Sequence, residues 1–304
     1  MRTLYKKYKF LFSLFLATQV VTAQTTLETA QSALQSGDYA DAVKAYETEL
    51  EANPANARAW FGLGRAYHAL EKYPQAIKAY RVSDSLGFYP QFVHYNIARS
   101  YALASEMDSA LNYLDKAIQA GYANPDHLES DTDLTSFHEN PALDTLVTRA
   151  DKNARPCEYD STYLQLDFWI GTWEVYNPRG QLVGHNRIEK SLNGCMLLEH
   201  WIGIQGSEGK SINYYDPRER KWRQQWVGST GYIINYTGEF KKGAMHLQGE
   251  NISKDGSIQL SRMTLTPKDD GTVRQLIEQS PDAGKTWNIW FDGLYKPTNT
   301  AMDK

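Results

Sequence analysis

The sequence predicts an α+β protein of two domains, an array of helical repeats followed by an antiparallel β-barrel of about ten strands. Three observations predict this arrangement. Small and aromatic residues recur every 34 residues in the first 124 residues, a period typical of paired helices. From residue 171 onward, apolar and polar residues alternate in short segments, as in half-buried strands. Seven of the eight Trp residues lie after residue 150, which separates two chemically different halves.

The first 23 residues have the features of a cleaved secretory signal peptide. Four basic residues precede an apolar run over residues 10–17, and small residues end the segment at Ala23. The apolar run is too short to cross a bilayer, and no later run is long and apolar enough to do so. We therefore expect cleavage after Ala23, export to the bacterial periplasm or secretion, and no insertion into a membrane. A disordered tail is expected over residues 298–304.

Charge is distributed unevenly along the chain. Residues 24–150 contain nine Lys or Arg and seventeen Asp or Glu, whereas residues 151–304 contain nineteen of each kind. The acidic half has no basic stripe, which argues against binding of nucleic acid. The difference in charge also supports a division into two domains.

A step of 34 residues relates three segments of the first half, 24–56, 57–90 and 91–124. The positions that keep this step are Tyr39, Tyr73 and Met107; Ala42, Ala76 and Ala110; and Tyr46, Tyr80 and Leu114. The pattern resembles tetratricopeptide repeats, which implies an α-solenoid of three helix–turn–helix units. Small residues such as Gly64 are expected where helices cross closely.

The resemblance implies that the repeats bind a protein partner, because stacked repeats present an extended concave face. The candidate side chains lie on the first helices of the second and third repeats. They are Arg65, His68, His94, Asn96 and Arg99. The alternative is that these side chains are only a solvated face. The acidity of this half favours a basic partner.

Residues 125–156 are expected to form a cap and a linker. Leu128 and Leu134 are among the apolar residues that would cover the last repeat. A short helix is expected from about Pro141 to Asp151, and the stretch ADKNARP is expected to link it to the barrel.

The second half contains about ten alternating segments separated by turn sequences such as Asp270-Gly271. The stretch YLQLDFWI leads into Gly171-x-Trp173 at the start of the first segment. This combination is similar to the lipocalin-like barrels of the calycin group, over residues 157–297. The resemblance implies a barrel plugged at one end by Trp173, with a cavity for one small ligand. It implies no particular activity, because the bacterial lipocalin-like domains that it resembles most have no assigned function.

Side chains alternate between the two faces of a strand, so one parity faces the barrel interior. The parity that mixes polar with aromatic residues is the candidate lining for a small amphipathic or hydrophobic ligand. It comprises Glu199, Trp201, Ser211, Asn213, Tyr215, Gln224 and Trp226. Stacking and a few hydrogen bonds would hold such a ligand. The alternative is that the aromatic residues only pack the core and that Glu199 pairs with an arginine such as Arg187.

The chain has two cysteines, Cys157 and Cys195. In an exported protein such a pair predicts one disulfide, which would tie the start of the barrel to one of its strands. The alternative is two buried free thiols. Neither a C-x-x-C motif nor a zinc spacing is present, so no metal site and no cofactor are predicted.

The local motifs of the sequence include a turn pattern but no catalytic signature. The stretch SPDAGKTW, residues 280–287, fits the Asp-box pattern and predicts a hairpin turn in which Asp282 accepts backbone hydrogen bonds. No G-x-S-x-G sequence or cysteine–histidine signature is present, so no catalytic residue is assigned.

These observations favour an exported, non-enzymatic binding or scaffold protein, with repeats for a protein partner and a barrel for a small ligand. Two other hypotheses remain open. The barrel cavity could be an active site with Glu199 as its acid–base group. The barrel could also be filled, in a protein that serves only as a structural assembly component.

Overall fold

The structure, a computed structural model, describes residues 26–299. The predicted signal peptide, residues 1–23, lies outside the described residues, as do residues 300–304 of the predicted tail. The chain divides into two compact units, Met1–Ala154 and Arg155–Lys304. Within the described range, no helix combines the length and apolar character needed to cross a membrane.

The first unit begins with six helices in three helix–turn–helix repeats. Their bounds are 26–36 (α1), Tyr39–Ala52 (α2), Ala57–Ala69 (α3), Tyr73–Ser85 (α4), Pro90–Leu103 (α5) and Met107–Gln119 (α6). Successive helices from α2 to α6 pack against one another. The second helix of each repeat starts at Tyr39, Tyr73 or Met107, three positions related by the 34-residue step. The repeat fold predicted for the first half is therefore confirmed.

Glycines in α3 allow the helices on either side of it to approach closely. A Cβ atom on Gly64 in α3 would lie 2.5 Å from the ring of Tyr80 in α4. A Cβ atom on Gly62 would lie 2.3 Å from the ring of Tyr46 in α2. Both tyrosines are buried. One step of 34 residues relates Tyr46 to Tyr80, and the two rings pack against different glycines of α3, one from α2 and the other from α4.

A cap follows the repeats. Its helices are Pro125–Ser130 (α7), the 3-10 helix Thr132–Phe137, and Pro141–Ala154 (α8). Leu128, Leu134 and Phe137 are fully buried in the core that also holds the third repeat. The 3-10 helix packs against α5, and α8 packs against α6. The cap therefore contacts both helices of the third repeat.

Helix α8 extends to Ala154, beyond the end at Asp151 expected from the sequence. The side-chain amide of Asn153 donates to the carbonyl oxygens of Ile118 and Tyr122, at 2.8 and 3.0 Å. These bonds attach the last turn of α8 to the end of the third repeat. Most of the stretch expected to be a linker is helical for this reason.

The second unit contains a closed antiparallel barrel of ten strands. The strands are Gly171–Tyr176 (β1), Leu182–Ser191 (β2), Met196–Gly203 (β3), Glu208–Asp216 (β4), Lys221–Gly228 (β5), Ile233–Lys241 (β6), Ala244–Ile252 (β7), Ile258–Pro267 (β8), Val273–Ser280 (β9) and Asn288–Pro297 (β10). Each strand pairs with its neighbours in sequence, and β1 pairs with β10 to close the barrel. The predicted ten-stranded antiparallel barrel is confirmed, and closure leaves no free strand edge.

A lead-in segment closes one end of the barrel. It consists of a short helix, Pro156–Tyr159 (α9), and a 3-10 helix, Tyr163–Trp169. Trp169 and Trp173 are buried in the barrel core, and the indole N–H of Trp173 donates to the carbonyl oxygen of Trp169 at 3.0 Å. Side chains from the lead-in segment therefore fill the end of the barrel at which β1 begins.

Cys157 in α9 and Cys195 in the turn between β2 and β3 form a disulfide, with their Cα atoms 5.0 Å apart. This turn lies at the same end of the barrel as the start of β1. The disulfide therefore fastens the lead-in segment to the closed end.

The turn between β9 and β10 contains the Asp-box stretch. The Asp282 carboxylate accepts hydrogen bonds from the backbone N–H and the hydroxyl of Thr286, both at 2.7 Å. The backbone N–H of Gly284 donates to the Ser280 hydroxyl at 2.7 Å. These hydrogen bonds all lie within the turn itself, so the motif has a structural role there.

Candidate functional site

A cavity of about 590 Å³ lies in the barrel, toward the end opposite the lead-in segment. Seven aromatic residues contribute to its wall: Trp201, Trp226, Tyr232, Tyr236, Trp290, Phe291 and Tyr295. Ile204, Ile289 and Trp290 also line it and are exposed, at 59%, 64% and 49%. The cavity therefore opens to solvent through an apolar rim.

The carboxyl group of Glu199 lies in the cavity wall, and the residue is 4% exposed. Its Oε1 atom accepts a hydrogen bond of 2.7 Å from the Asn186 amide. Its Oε2 atom accepts bonds of 2.6 Å from the Ser211 hydroxyl and 3.2 Å from the Gln224 amide. All three donors are neutral groups on neighbouring strands, so the carboxyl is held in place by hydrogen bonds alone.

The hydrogen-bonded network continues across the barrel from Glu199. The Asn186 amide also donates to the hydroxyl of Tyr295 at 3.1 Å, and that hydroxyl donates to Oε1 of Gln275 at 2.6 Å. On the other side, the amide of Asn213 donates to the Ser211 hydroxyl at 2.9 Å. These residues are buried, and together they form a polar layer below the aromatic part of the cavity.

Burial raises the pKa of the Glu199 carboxyl to about 7, while the hydrogen bonds from Ser211 and Asn186 act in the opposite direction. Burial also raises the pKa of Tyr295 and Tyr236 well above the usual range. Among the groups of the polar layer, Glu199 is the one that changes its charge near neutral pH. It is therefore the chemically distinctive residue of the cavity.

Trp201 and Trp226 belong to the aromatic part of the cavity wall, and each ring packs against a glycine of the adjacent strand. A Cβ atom on Gly184 would lie 2.5 Å from the Trp201 ring, and one on Gly209 would lie 2.1 Å from the Trp226 ring. The ring of Phe291 meets that of Trp201 edge-to-face, with centroids 5.8 Å apart. These contacts fix the positions of the two indole rings in the cavity wall.

The structure brings four of the seven candidate lining residues to the cavity, namely Glu199, Trp201, Gln224 and Trp226. Ser211 and Asn213 are buried and reach the cavity only through their bonds to the Glu199 network. Tyr215 shares the parity of this set but lies at the closed end, where its ring contacts Trp222 and Tyr163. It is not among the residues of the cavity wall, because it is at the far end of β4.

The alternative pairing of Glu199 with Arg187 is not what the structure shows. Arg187 follows Asn186 in β2 and therefore points to the opposite, outer face of the barrel. It is exposed and lies 3.4 Å from the Glu189 carboxylate. The partners of Glu199 are instead amides and a hydroxyl on the inner face.

Several residues of the site were absent from the sequence prediction, including Asn186, Gln275, Tyr295 and Trp290. The alternation of inward and outward side chains along β2 and β9 could have identified Asn186 and Gln275. For β10 the alternation fails, because a register shift between Ile289 and Phe291 interrupts its pairing with β9. As a result four consecutive residues, 289–292, line the cavity.

Two of the five candidate concave-face residues of the repeats are engaged by the cap. The Arg99 guanidinium lies 2.9 Å from Asp131 and 2.6 Å from Asp133, measured between nitrogen and carboxylate oxygen. The His68 ring is hydrogen-bonded to the Asp133 carboxylate, which accepts, and to the Ser100 hydroxyl, both at 2.9 Å. Burial, with Arg99 nearby, lowers the pKa of His68. The cap therefore supplies acidic partners to this part of the repeats.

The remaining candidates differ in their surroundings. His94 bonds to the Asp84 carboxylate at 3.0 Å. The Asn96 amide donates to the backbone carbonyl of Phe92 at 2.8 Å. Arg65 is exposed. Of the five side chains, Arg65 is thus the most accessible to another molecule.

Residues 27–90 match the tetratricopeptide repeat family. The match spans the first two repeats, and their fold suggests protein–protein interaction, since stacked repeats of this type present extended binding surfaces. No curated protein matches the chain.

Three solved structures are similar to part of this chain. The translocator chaperone SycD of Yersinia enterocolitica is 22% identical, with a TM-score of 0.35, over 43% of this chain and 95% of its own. PcrH of Pseudomonas aeruginosa is 19% identical, with a TM-score of 0.33, over 44% and 90%. The TPR2B domain of yeast Sti1, in a complex with pHsp70, is 22% identical, with a TM-score of 0.33, over 43% and 98%.

Across residues 26–299, no three His, Cys, Asp or Glu side chains converge in a group that could hold a metal ion. The chemistry that the cavity itself offers is that of one buried carboxyl, its neutral hydrogen-bond donors and the surrounding aromatic rings.

Proposed function

We propose that the protein is an exported binding protein whose barrel holds one small amphipathic or hydrophobic molecule. The observation that carries this proposal is the solvent-open cavity of about 590 Å³, with aromatic walls above a buried polar layer. Cavities of about 300 to 1,000 Å³ with mostly apolar walls and a few fixed polar groups are typical of small-molecule sites. The cavity also counts against the hypothesis of a filled barrel.

The two parts of the cavity match the two parts of an amphipathic molecule. The rings of Trp201, Trp226 and Phe291 offer apolar surface for a ligand body. The Glu199 and Gln224 side chains below them offer hydrogen-bonding groups for a polar end. The resemblance of residues 157–297 to lipocalin-like barrels supports the same proposal.

Two measurements test the binding proposal. Native mass spectrometry of the gently purified protein should show the mass of a retained small molecule. Titration with the neutral fluorescent probe N-phenyl-1-naphthylamine should show saturable binding. Trp226→Ala should weaken binding of the probe about tenfold, because it removes a stacking surface and opens the wall.

Trp287→Ala is the matched control, since Trp287 lies outside the cavity wall and its ring packs under the Arg262 guanidinium at 4.4 Å. Equal loss of probe affinity in both variants, or none in Trp226→Ala and Trp201→Ala, would contradict the proposed site.

Export and the role of the repeats complete the proposal. The basic start and apolar run of residues 1–23 support cleavage after Ala23 and a periplasmic or secreted location, and N-terminal sequencing of the mature protein should begin at Gln24. The repeats are proposed to bind a protein partner on the face that includes Arg65. A crosslinker placed at position 65 should capture the partner in the exported fraction. A crosslinker at position 152 in the cap is the control and should not.

A second candidate function, acid–base catalysis in the same cavity, is favoured by one observation. The Glu199 carboxyl is buried in a solvent-open cavity with its pKa raised to about 7, and such a group can both donate and accept a proton at neutral pH. Turnover of a bound molecule by the wild type and its loss in Glu199→Gln would favour the enzyme over the binding protein.

A further inference from the structure

The charged groups of the cavity wall are all acidic. Among the described residues that line it, Glu199 and Asp292 carry carboxyl groups, and none is Lys, Arg or His. Asp292 is already paired, since the Arg274 guanidinium donates two bonds of 2.8 Å to its carboxylate. Glu199 receives bonds only from neutral groups. Glu199 is therefore the carboxyl whose negative charge lacks a basic counterpart.

A buried carboxylate is costly unless a cation or several hydrogen bonds compensate it. At Glu199 the hydrogen bonds compensate in part, and the carboxyl remains at the wall of a cavity that opens to solvent. A positive group entering the cavity could approach the carboxyl directly. It would also face the rings of Trp201, Trp226 and Tyr236, whose negatively polarised faces attract cations.

We propose that the ligand class of the cavity is organic amines, whose ammonium group pairs with the Glu199 carboxylate and whose apolar body lies between Trp201 and Trp226. This inference rests on the proposed function of the barrel. It adds that the polar end of the ligand is positively charged and lies at Glu199. The wall supplies the anion, the aromatic rings and the solvent opening that such a ligand requires. A ligand with a carboxylate end would instead place its negative charge beside that of Glu199.

Three other groups of the cavity wall, on Tyr236, Tyr295 and Asp292, have charges that do not change near neutral pH. Burial raises the pKa of Tyr236 and Tyr295, which keeps them neutral. The Arg274 guanidinium lowers the pKa of Asp292, which keeps it ionised. Tyr232 also lines the wall. An alkylamine, like a lysine side chain, stays protonated below about pH 10. Affinity for an alkylamine should therefore follow the ionisation of Glu199 and rise between pH 6 and 8.

The test compares three probes of equal chain length with the full protein by isothermal titration calorimetry: n-octylamine, octan-1-ol and octanoate. At pH 8 we expect n-octylamine to bind at least tenfold more tightly than octan-1-ol, and octanoate to bind most weakly. Glu199→Gln should abolish the preference for the amine, so that the variant binds n-octylamine and octan-1-ol with similar affinities. Glu189→Gln, at an exposed position of β2, is the control and should keep the preference.

The outcomes separate this inference from the proposed function. Equal binding of n-octylamine and octan-1-ol, or tighter binding of octanoate, would overturn the amine proposal and leave the binding barrel standing. The same holds if none of the three binds while N-phenyl-1-naphthylamine still does. Failure of all four probes would overturn both. If Glu199→Gln does not fold, the wild type decides, since an n-octylamine affinity that is flat from pH 6 to 8 contradicts the proposal.

Discussion

The amide of Asn186 in β2 donates one hydrogen bond to Glu199 in β3 and one to the Tyr295 hydroxyl in β10. Because β1 lies between β2 and β10, Asn186 bridges three strands around the point where the barrel closes. The carboxyl that marks the cavity is thus anchored to the closure of the fold. Changes at Glu199 are expected to affect both binding and stability.

The pH dependence of stability should report on Glu199. Its pKa is about 7 in the folded protein and near the ordinary glutamate value of 4.5 in the unfolded chain. Between these values the folded state keeps a proton that the unfolded state has released, so the free energy of unfolding should fall as pH rises from 4.5 to 7. The fall attributable to this group is about 3 kcal/mol. Urea unfolding of wild type and Glu199→Gln at several pH values should show that the variant lacks this component. Glu189→Gln should keep it, and identical pH profiles for wild type and Glu199→Gln would contradict the assignment.

Gly64→Ala should destabilise the repeats by about 2 kcal/mol, because the new methyl group would overlap the Tyr80 ring in a close-packed core. Thermal or urea unfolding of the first unit measures the loss. Tyr80→Leu should remove the overlap, so that Gly64→Ala costs much less in the Tyr80→Leu background. Additive effects of the two substitutions would show that the contact does not limit position 64.

Arg99→Leu should destabilise the first unit by about 3 kcal/mol, because it leaves the carboxylates of Asp131 and Asp133 partly buried without their cation. Arg149→Leu is the control, since the ion pair of Arg149 with Asp115 is more exposed and should contribute less than about 1 kcal/mol. Urea unfolding of both variants gives the comparison. A similar loss in the two would mean that the buried ion pairs of Arg99 contribute no more to stability than the exposed ion pair of Arg149.

Reduction of the disulfide between Cys157 and Cys195 should lower the stability of the barrel. The two cysteines are 38 residues apart, and closing a loop of this length stabilises a fold by about 4 kcal/mol in the chain-entropy description. Unfolding in urea with and without a reductant measures the difference. The double variant Cys157→Ser/Cys195→Ser should unfold like the reduced protein and should not respond to the reductant.

Much of the site could be predicted from the alternation of β3, β4 and β5. Glu199 and Trp201, like Gln224 and Trp226, are two residues apart, so one parity sufficed to place each pair on the inner face. Alternation does not give depth along the barrel, and for that reason Tyr215 could be assigned to the inner face but not to the closed end. The stretch 289–292 was beyond prediction because the register shift in β10 depends on its pairing with β9.

The repeats show the same division between local and distant information. The 34-residue step can be seen in the sequence alone, and it predicted where the helices lie, including α4, which begins at Tyr73. The ion pairs of Arg99 with Asp131 and Asp133 depend on the path of the cap, which has no repeat and no period. The sequence therefore predicted a concave face but could not show that the chain itself covers part of it.

The packing of α8 on α6 and of Asp131 and Asp133 on Arg99 limits how this array could lengthen by gene duplication. A repeat copied between the first and second repeats would have a helix–turn–helix repeat on both sides, as the second repeat has now. A repeat inserted after residue 124 would separate the terminal acidic residues from the arginine that receives them. Additional repeats can therefore be inserted between the existing repeats, but not between the third repeat and the cap.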